Sequence, residues 1–518
     1  MRRAALGLAV IGFLCQGHRL SAQSAYEQLQ TFSGVLNQIR QNYVDSIGSG
    51  DLVRAAIEGM LGSLDPHSYF LSREDGMRQL AYRSGQLAGL GIVLSEIDGL
   101  PTVQAVLPES PAAKAGIASG DRLIQVNDTV VVGISFQRVQ GLLVGDRGST
   151  IRMMLERGNR WEPDSFKLTL KFAYLEPHSV TVSRILDPTT GYVRLQQFLP
   201  DAGKEVEDAI RSLQSRGAAR LIFDLRGNPG GLVSSAVEIA SIFLPNGTVV
   251  FRTDGRRRSA RQEYSTSENG RFTDLPLILL IDEGSASASE ALAGSLQDHD
   301  RALILGRRSF GKALMQRAFE VPPAGDLVWL TVGHIVTPSG RYIQRRYQGL
   351  QGEQYYFFAG QSGAKQDTTV PFHTDHGRLV RGGGGIVPDV TLPGRVPLPI
   401  WFSVAADSGF YEAIADSVAG SMDADEASRV RFTGNPTAWQ ARLVDPFLAR
   451  VRTRLQVAGQ VDSLVTQRIG RILADRVVEV RWGPEARDQF LLQNDADVMA
   501  AMGYFPRVLE LLKGPGNQ

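Results

Sequence analysis

A serine-rich segment lies where a predicted strand changes into a predicted helix. Three alternating serines follow the apolar run 277–281 and open a helical stretch at 288–296: Ser285, Ser287 and Ser289. Backbone N–H groups at a helix start are unpaired and carry the positive end of the helix dipole, so they can stabilise an oxyanion beside an attacking hydroxyl. The segment is therefore suited to an acyl-transfer nucleophile. The chain has no Gly-x-Ser-x-Gly motif, so an α/β-hydrolase site loses its main support.

A purely structural role is the first alternative for these residues. Ser287 and Glu290 have the spacing of a capping box, in which the pair only satisfies helix N–H groups. Lys312, taken alone, is typical of a solvated surface lysine. Taken alone, Ser287 and Glu290 therefore favour helix capping over catalysis. The choice between the two roles depends on the larger sequence pattern.

The larger pattern combines Ser-Ala-Ser-Ala-Ser-Glu at 285–290, Leu-Gln-Asp at 296–298 and Phe-Gly-Lys at 310–312. It closely resembles the core signature of the carboxyl-terminal processing peptidases, also called tail-specific proteases. In that family the nucleophilic serine precedes the general-base lysine by twenty-five positions, as Ser287 precedes Lys312 here. A glutamine four residues after the lysine commonly orients it. The resemblance thus implies catalytic roles for Ser287, Lys312 and Gln316.

One departure from the family follows the lysine, where a glycine is usual and this chain has Ala313. The chemistry is unaffected, because Ser-Lys is a known substitute for Ser-His. Lysine acts as a base only when neutral, so its pKa must fall from about 10.4, and burial among apolar groups lowers it. Leu314 and Met315 fit such an apolar surround.

A glycine-rich turn supports the same site. The apolar strand pattern at 220–225 is followed by Gly-Asn-Pro-Gly-Gly at 227–231 and by a helical stretch. An ordinary β-to-α connection is the structural alternative. However, Asp-Leu-Arg-x-Asn-x-Gly-Gly resembles the second signature of the family, in which glycine amides complete the oxyanion hole with the amide after the serine. The resemblance implies Ala288 with Gly230 or Gly231 as donors, and the choice between the glycines stays open.

Residues 85–172 resemble a PDZ domain. The place of the carboxylate-binding loop is taken by four consecutive residues: Gly89, Leu90, Gly91 and Ile92. Ser-Pro-Ala-Ala-Lys-Ala-Gly-Ile at 110–117, with Gly-Asp-Arg-Leu at 120–123, is the hallmark of bacterial PDZ domains. In such domains a peptide C-terminus adds a strand while loop N–H groups bind its carboxylate. We expect protein or peptide substrates with free C-termini as partners.

The fold class predicted is α/β multidomain. Strand-like and helical segments alternate at 176–395, which favours crossover connections and a largely parallel sheet. The resemblance implies a crotonase-like βαβ protease core with the PDZ domain inserted before it. Helical regions are predicted at 23–80 and 397–518, most clearly at 438–473 and 495–512. An insertion at about 345–384 contains His373 and His376, which are more typical of a solvated loop than of a metal site.

Composition and the N-terminus indicate an exported soluble protein. The 518 residues are 43% hydrophobic and 21% charged, with a net charge of +1 that gives no support for nucleic-acid binding. Residues 1–22 have the basic, apolar and small-residue regions of a signal peptide, and the apolar part is too short to span a bilayer. The single cysteine, Cys15, lies within it, so the mature chain offers neither a thiol nucleophile nor disulfides. We expect a bacterial periplasmic or extracellular location.

The predicted function is that of an exported serine endopeptidase with a PDZ domain, acting on C-terminal or unfolded segments without metal or cofactor. A homodimer is one option for the C-terminal helices. A catalytically inactive PDZ adaptor or regulator on a protease-like fold is the alternative. A Ser-His-Asp hydrolase using His299 or His334 is a weaker third option, because Lys312 would then have no role.

Overall fold

The computed structural model describes residues 26–83, 88–97, 100–106, 110–117, 121–132, 139, 142–157, 164–175, 178–348, 370–394, 396, 398–399, 401–402, 405, 410–456 and 460–514. The predicted signal peptide and 349–369 of the predicted insertion lie outside these residues. The described residues form two compact units. The first takes its residues from 1–73, 316–331 and 347–355, and the second from the remainder.

The first unit contains two N-terminal helices, α1 (26–42) and α2 (Ser49–Gly62). The strand β1 (Tyr69–Leu71) pairs antiparallel with 327–329. The turn before β1 is closed by the buried carboxylate of Asp65, which accepts the N–H groups of His67 and Ser68, both at 2.8 Å. A short polar side chain that bonds its own backbone two and three residues on is a typical turn former.

The PDZ-like region follows α3 (Arg73–Arg83) and is an antiparallel sheet with one short helix, α4 (Pro111–Lys114). Its strands are β2 (Ala88–Gly89), β3 (Ile92–Ile97), β4 (Leu100–Val106), β5 (Arg122–Val126), β6 (Thr129–Val130), β7 (Thr150–Arg157), β8 (Asp164–Lys171) and β9 (Ala173–Tyr174). The main sheet has the order β3-β4-β5-β7-β8, so β3 is an edge strand. Inward-facing apolar side chains form a separate core there, among them Leu90, Val103, Leu123, Val126, Ile151 and Leu155.

The region predicted to form the core at 176–395 alternates strands and helices. Its elements are β10 (Val180–Asp187), β11 (Thr190–Leu195), α5 (Ala202–Ser215), β12 (Arg220–Asp224), α6 (Val233–Phe243), β13 (Val249–Asp254), β14 (Gln262–Ser265), β15 (Leu277–Ile281), α7 (Ala288–Asp298) and β16 (Leu303–Gly306). Five further strands follow: β17 (Leu314–Val321), β18 (Asp326–Val336), β19 (Pro371–His373), β20 (Leu379–Arg381) and β21 (Val390–Thr391).

The central sheet has the order β10-β11-β12-β15-β16-β21, and every pairing except β10 with β11 is parallel. The largely parallel sheet predicted from the sequence is therefore confirmed. All five residues of β15 are buried, as expected for a strand covered on both faces. Leu277, Leu279 and Ile281 face one apolar core, and Ile278 and Leu280 face another. The carboxyl ends of β12 and β15 carry the glycine turn and the serine segment.

The C-terminal region consists of α8 (Phe410–Gly420), α9 (Glu426–Thr433), α10 (Pro436–Trp439), a π-helical turn (Gln440–Val444), α11 (Asp445–Leu455), α12 (Ser463–Gln493), α13 (Ala496–Met502) and α14 (Phe505–Lys513). Within the helical stretch predicted at 438–473, the chain enters the left-handed region at Gln456 (φ 52°), and a new helix starts beyond Asp462, whose side chain caps it. Within the helical stretch predicted at 495–512, one helix ends at Met502 and the next begins at Phe505. Apolar periodicity continues across such breaks when both helices pack on the same core.

The helices α13 and α14 contribute Val498, Phe505 and Val508 to the core beneath β15, on the face opposite α7. They thus cover the second face of the central sheet. Among the helices in the described ranges, none combines the length and apolarity needed to cross a bilayer.

Candidate active site

Ser287 lies at the turn between β15 and α7. Its backbone is in a left-handed conformation (φ 57°, ψ −111°), which a non-glycine residue rarely adopts and which costs about 1–3 kcal/mol. The helix begins directly after it, and the described residues provide no acceptor for the N–H of Ala288. A strained serine beside an unpaired helix N–H is the local geometry that an attacking hydroxyl and an oxyanion require.

The three serines of the segment have different surroundings. Ser285 and Ser289 are fully buried, and their hydroxyls donate to the carbonyls of Leu225 (2.8 Å) and Asn228 (2.9 Å). Ser287 is half-buried. The outer two serines therefore fasten the segment to the glycine turn, and Ser287 is the one that a substrate can approach.

Glu290 has a role that the sequence did not reveal beyond helix capping. Its carboxylate is 1% exposed, and its Oε2 accepts the backbone N–H groups of Ser287 (2.9 Å) and Lys312 (2.8 Å). Its Oε1 accepts the hydroxyl of Ser309 and the N–H of Gly311 (2.6 Å). One buried side chain thus holds the serine turn and the lysine loop together.

The ionisation of Glu290 reflects two opposing effects. Burial raises the pKa of Glu290 above its ordinary value, and the donors from Ser309, Gly311, Lys312 and Ser287 act against that rise. The Ser309 oxygen itself accepts the N–H of Ile386 (2.6 Å), so its proton points to Glu290. Four donors aimed at two oxygens occupy the acceptor sites of an ionised carboxylate and leave little room for a proton.

Lys312 lies in the loop between β16 and β17 and is half-buried. The loop is tied to the serine segment by the N–H of Phe310, which donates to the Ser285 carbonyl at 2.9 Å. Ala313, where the family usually has glycine, is buried, and its N–H donates to Oε1 of Gln344 at 2.8 Å. The conformation at this position needs no positive φ, so alanine is accommodated.

Gln316 lies on β17 and belongs to the first unit, whereas Ser287, Glu290 and Lys312 belong to the second. Its side-chain amide donates to the backbone carbonyl of His67. That bond holds the amide against the turn that precedes β1.

The glycine turn offers one unpaired amide. The Gly230 N–H donates to Oδ1 of Asn228 at 2.9 Å. Gly231 is exposed, and its N–H has no acceptor within the described part of the chain. Its parallel bridge to Phe198 uses the Gly230 carbonyl and the Leu232 N–H, so the Gly231 N–H points to the other side. The two glycines therefore differ in what they can donate.

Gly230 has a steric role instead. Its φ of +99° favours glycine, and a Cβ atom there would lie 2.9 Å from both the Ser287 Cβ and the Ala288 nitrogen. Because glycine has no Cβ atom, the turn can pack directly against Ser287. Any larger residue would push the turn away from Ser287.

Asn228 and Asp282 organise this contact and were not singled out from the sequence. The Asn228 carbonyl accepts the Ala286 N–H at 3.0 Å in addition to the Ser289 hydroxyl. The Asp282 carboxylate accepts the Gly227 N–H at 2.8 Å. Their positions within the two motifs were the available signal, but a spacing does not state which backbone groups a side chain will bind.

Known proteins share these segments. The model of peptidase family S41 matches residues 189–353, and a PDZ domain model matches 102–157. The carboxy-terminal-processing protease of Bartonella bacilliformis is 32% identical over 326 residues, which are 62% of this chain and 74% of that protein. The carboxy-terminal processing protease CtpA of Bacillus subtilis is 30% identical over 327 residues, 63% of this chain and 69% of that one.

The chain belongs to the carboxy-terminal processing proteases. It is thus a serine peptidase with a PDZ domain, as the sequence predicted. The S41 match contains the turn at 227–231, Ser287 and Lys312.

The PDZ domain of this processing protease has an edge strand, β3, beside its glycine loop. The edge strand β3 starts directly after Gly91, whose φ is +79°. Elsewhere in the domain, Arg157 at the end of β7 donates to both oxygens of the buried Asp121, which precedes β5, at 2.7 and 2.8 Å. An edge strand that continues from a glycine loop is the geometry of peptide strand addition.

The Ser-His-Asp alternative with His299 gains no support in this processing protease. His299 follows the last residue of α7, about 18 Å along the helix from Ser287. Its two ring nitrogens lie 2.7 Å from Asp375 Oδ2 and from the Val249 carbonyl. In the described segments, no three histidine, cysteine or acidic side chains gather as metal ligands.

Proposed function

We propose that this processing protease is an exported serine endopeptidase that cleaves protein substrates with Ser287 as nucleophile and Lys312 as general base. The observation that carries the proposal is the shared carboxylate of Glu290, which holds the backbones of both residues at 2.9 and 2.8 Å. The half-buried setting of Ser287, beside two fully buried serines, supports the same choice.

The reaction proceeds through an acyl-enzyme. Neutral Lys312 takes the proton from the Ser287 hydroxyl as its oxygen attacks the carbonyl carbon of the scissile bond. The lysine then gives this proton to the departing amine as the C–N bond breaks, leaving the acyl group as an ester on Ser287. A water molecule, activated by the same lysine, hydrolyses the ester and restores the serine.

The oxyanion of each tetrahedral intermediate is assigned to the N–H groups of Ala288 and Gly231. Both amides have no acceptor among the described residues, whereas the Gly230 amide is engaged by Asn228. Unpaired donors that are fixed before the reaction stabilise developing charge without reorganisation. Gly230 then serves the site by letting the turn approach Ser287.

Gln316 is assigned to orienting Lys312, on the basis of its position four residues after the lysine in the family motif.

The core at 176–395 is assigned to the crotonase-like class, and its parallel sheet supports this assignment. The PDZ domain is assigned to 85–172, and the helical regions to 23–80 and 397–518.

Substrates are proposed to be proteins with C-terminal or unfolded segments. The edge position of β3 in its sheet supports the addition of a peptide strand, and the position of the loop 89–92 directly before β3 supports binding of a terminal carboxylate by its N–H groups. The features of residues 1–22 support export to the periplasm or cell exterior. A homodimer formed through the C-terminal helices is part of the proposal.

Cleavage of an unfolded, fluorescently labelled protein by the purified chain from residue 23 tests this function. The wild type is expected to cut the unfolded form faster than the folded form, and Ser287→Ala is expected to bind it without cutting. A wild-type protein that binds the labelled substrate but never cuts it would instead support a PDZ adaptor. Equal cleavage by wild type and Ser287→Ala would exclude Ser287 as the nucleophile.

A further inference from the structure

Asp497 lies between two buried arginines that belong to different active-site loops. It is on α13 and is 8% exposed. Its Oδ2 accepts Nη1 of Arg226 at 2.9 Å and Nη1 of Arg307 at 2.9 Å. Asp497 lies 271 positions from Arg226 and 190 positions from Arg307 in the chain, so the C-terminal region supplies this bridge.

Arg226 opens the turn that leads to Gly231. Its side chain is 4% exposed, and its guanidinium donates to three carboxylates: Asp224 at the end of β12, and Asp495 and Asp497 from the C-terminal region. Both Nη atoms reach the C-terminal region, at 2.8 and 2.9 Å. A guanidinium forms its strongest and most directional contacts in such paired geometry.

Arg307 directly follows β16 and starts the loop that carries Lys312. Its side chain is 10% exposed. The contact with Asp497 at 2.9 Å is its shortest, against 3.4 Å to Glu283 and 3.9 Å to Asp282. Two residues further along, Ser309 donates to Glu290. The position of this loop therefore depends on Asp497 at one end and on Glu290 at the other.

We propose that Asp497 is a positioning residue that sets the glycine turn and the lysine loop relative to each other, so that the C-terminal helix α13 is required for catalysis. This inference rests on the proposed Ser287–Lys312 mechanism. Removal of the carboxylate leaves two buried cations with one partner fewer each, and both loops shift to reach other acceptors or water. Such a shift misaligns the Gly231 amide and Lys312 without changing how substrate binds to the PDZ domain.

The test compares Asp497→Asn with Asp475→Asn. Asp475 accepts two bonds from Arg487 at 2.9 and 3.0 Å within the same C-terminal region and touches neither active-site arginine. For each variant, kcat and KM on a short peptide, the single-turnover cleavage rate and Tm are measured. A misplacement near 1 Å at reacting groups costs about 100-fold in rate. We expect Asp497→Asn to lower kcat at least about tenfold with KM within about twofold, and Asp475→Asn to keep kcat within about twofold.

Wild-type kcat in folded Asp497→Asn, or an equal loss in Asp475→Asn at similar Tm, overturns the inference. If Asp497→Asn does not fold, Arg307→Gln breaks the same bridge and leaves Asp497 paired with Arg226. A folded Arg307→Gln variant is then expected to show the same loss of kcat, and wild-type turnover in it overturns the inference. The cleavage rate of Ser287→Ala is measured in parallel and tests the proposed nucleophile separately. It gives the background rate of the assay in the absence of the Ser287 hydroxyl.

Discussion

The backbone N–H groups of Ser287 and Lys312 donate to the same oxygen, Oε2 of Glu290, at 2.9 and 2.8 Å. The two residues are twenty-five positions apart in the chain, and β16 lies between them. Their relative position therefore depends on this buried carboxylate, together with the bond from the Phe310 N–H to the Ser285 carbonyl, rather than on the continuity of one element. A charged acceptor shared by two backbone donors gives strong, directional bonds, so the distance between the turn and the loop is closely defined.

Replacement of each serine in the segment is expected to separate catalysis from structure. Ser287→Ala abolishes proteolysis with Tm nearly unchanged. Ser285→Ala and Ser289→Ala keep most of the activity but lose a buried hydrogen bond to the carbonyl of Leu225 or Asn228, which costs about 1–2 kcal/mol. Peptide cleavage and thermal unfolding of the three variants provide the check. Near wild-type turnover in folded Ser287→Ala would contradict the assignment.

Lys312→Arg is expected to be as inactive as Lys312→Ala. Arginine keeps the positive charge but does not lose its proton at accessible pH, so it cannot serve as a base. In the wild type, kcat/KM rises with pH on the acid side, because the lysine must be neutral to accept the serine proton. Turnover by the arginine variant at a rate comparable to wild type would mean that Lys312 works only as a cation.

Glu290→Gln is expected to lower both activity and stability. The amide nitrogen would face two of the four donors that the carboxylate accepts, and loss of a buried charged acceptor costs about 3 kcal/mol. Glu205→Gln is the control, since Glu205 accepts the Val180 N–H at 2.9 Å outside the site. Circular dichroism, Tm and kcat are compared. A Glu290→Gln enzyme with normal kcat would show that the shared carboxylate does not position the catalytic pair.

Substrate choice is expected to depend on a free C-terminus. Amidation removes the charge and an acceptor from the peptide end, so KM should rise when the loop at 89–92 binds that end. Gly91→Ala, which strains a left-handed position (φ +79°), should raise KM for the free acid. Gly116→Ala is the matched control, with the same strain (φ +77°) and open space at another turn of the domain. Equal cleavage of amidated and free-acid peptides would end the claim of C-terminal recognition.

The local patterns were readable without the structure. Alternation of apolar strands with helices predicted the parallel sheet, since strands such as 277–281 are apolar throughout and buried on both faces. The motifs at 285–290 and 310–312 carried the resemblance to the family, and the family's spacing between serine and lysine selected Ser287 among the three serines. Helix boundaries were less accessible. The break at Gln456 is a single left-handed residue inside a continuing apolar pattern.

The hydrogen-bond partners of the buried polar side chains were decided only by contacts between segments that are distant in the sequence. Asn228 binds the Gly230 amide and so distinguishes it from Gly231, and Glu290 gathers donors from residues up to twenty-two positions away. Asp497 reaches Arg226 across 271 positions. A buried carboxylate must find donors wherever packing brings them, because an unpaired buried charge is costly. The sequence shows that such carboxylates exist, and only the packing of α13 beneath the sheet and of the lysine loop against α7 determines which groups they bind.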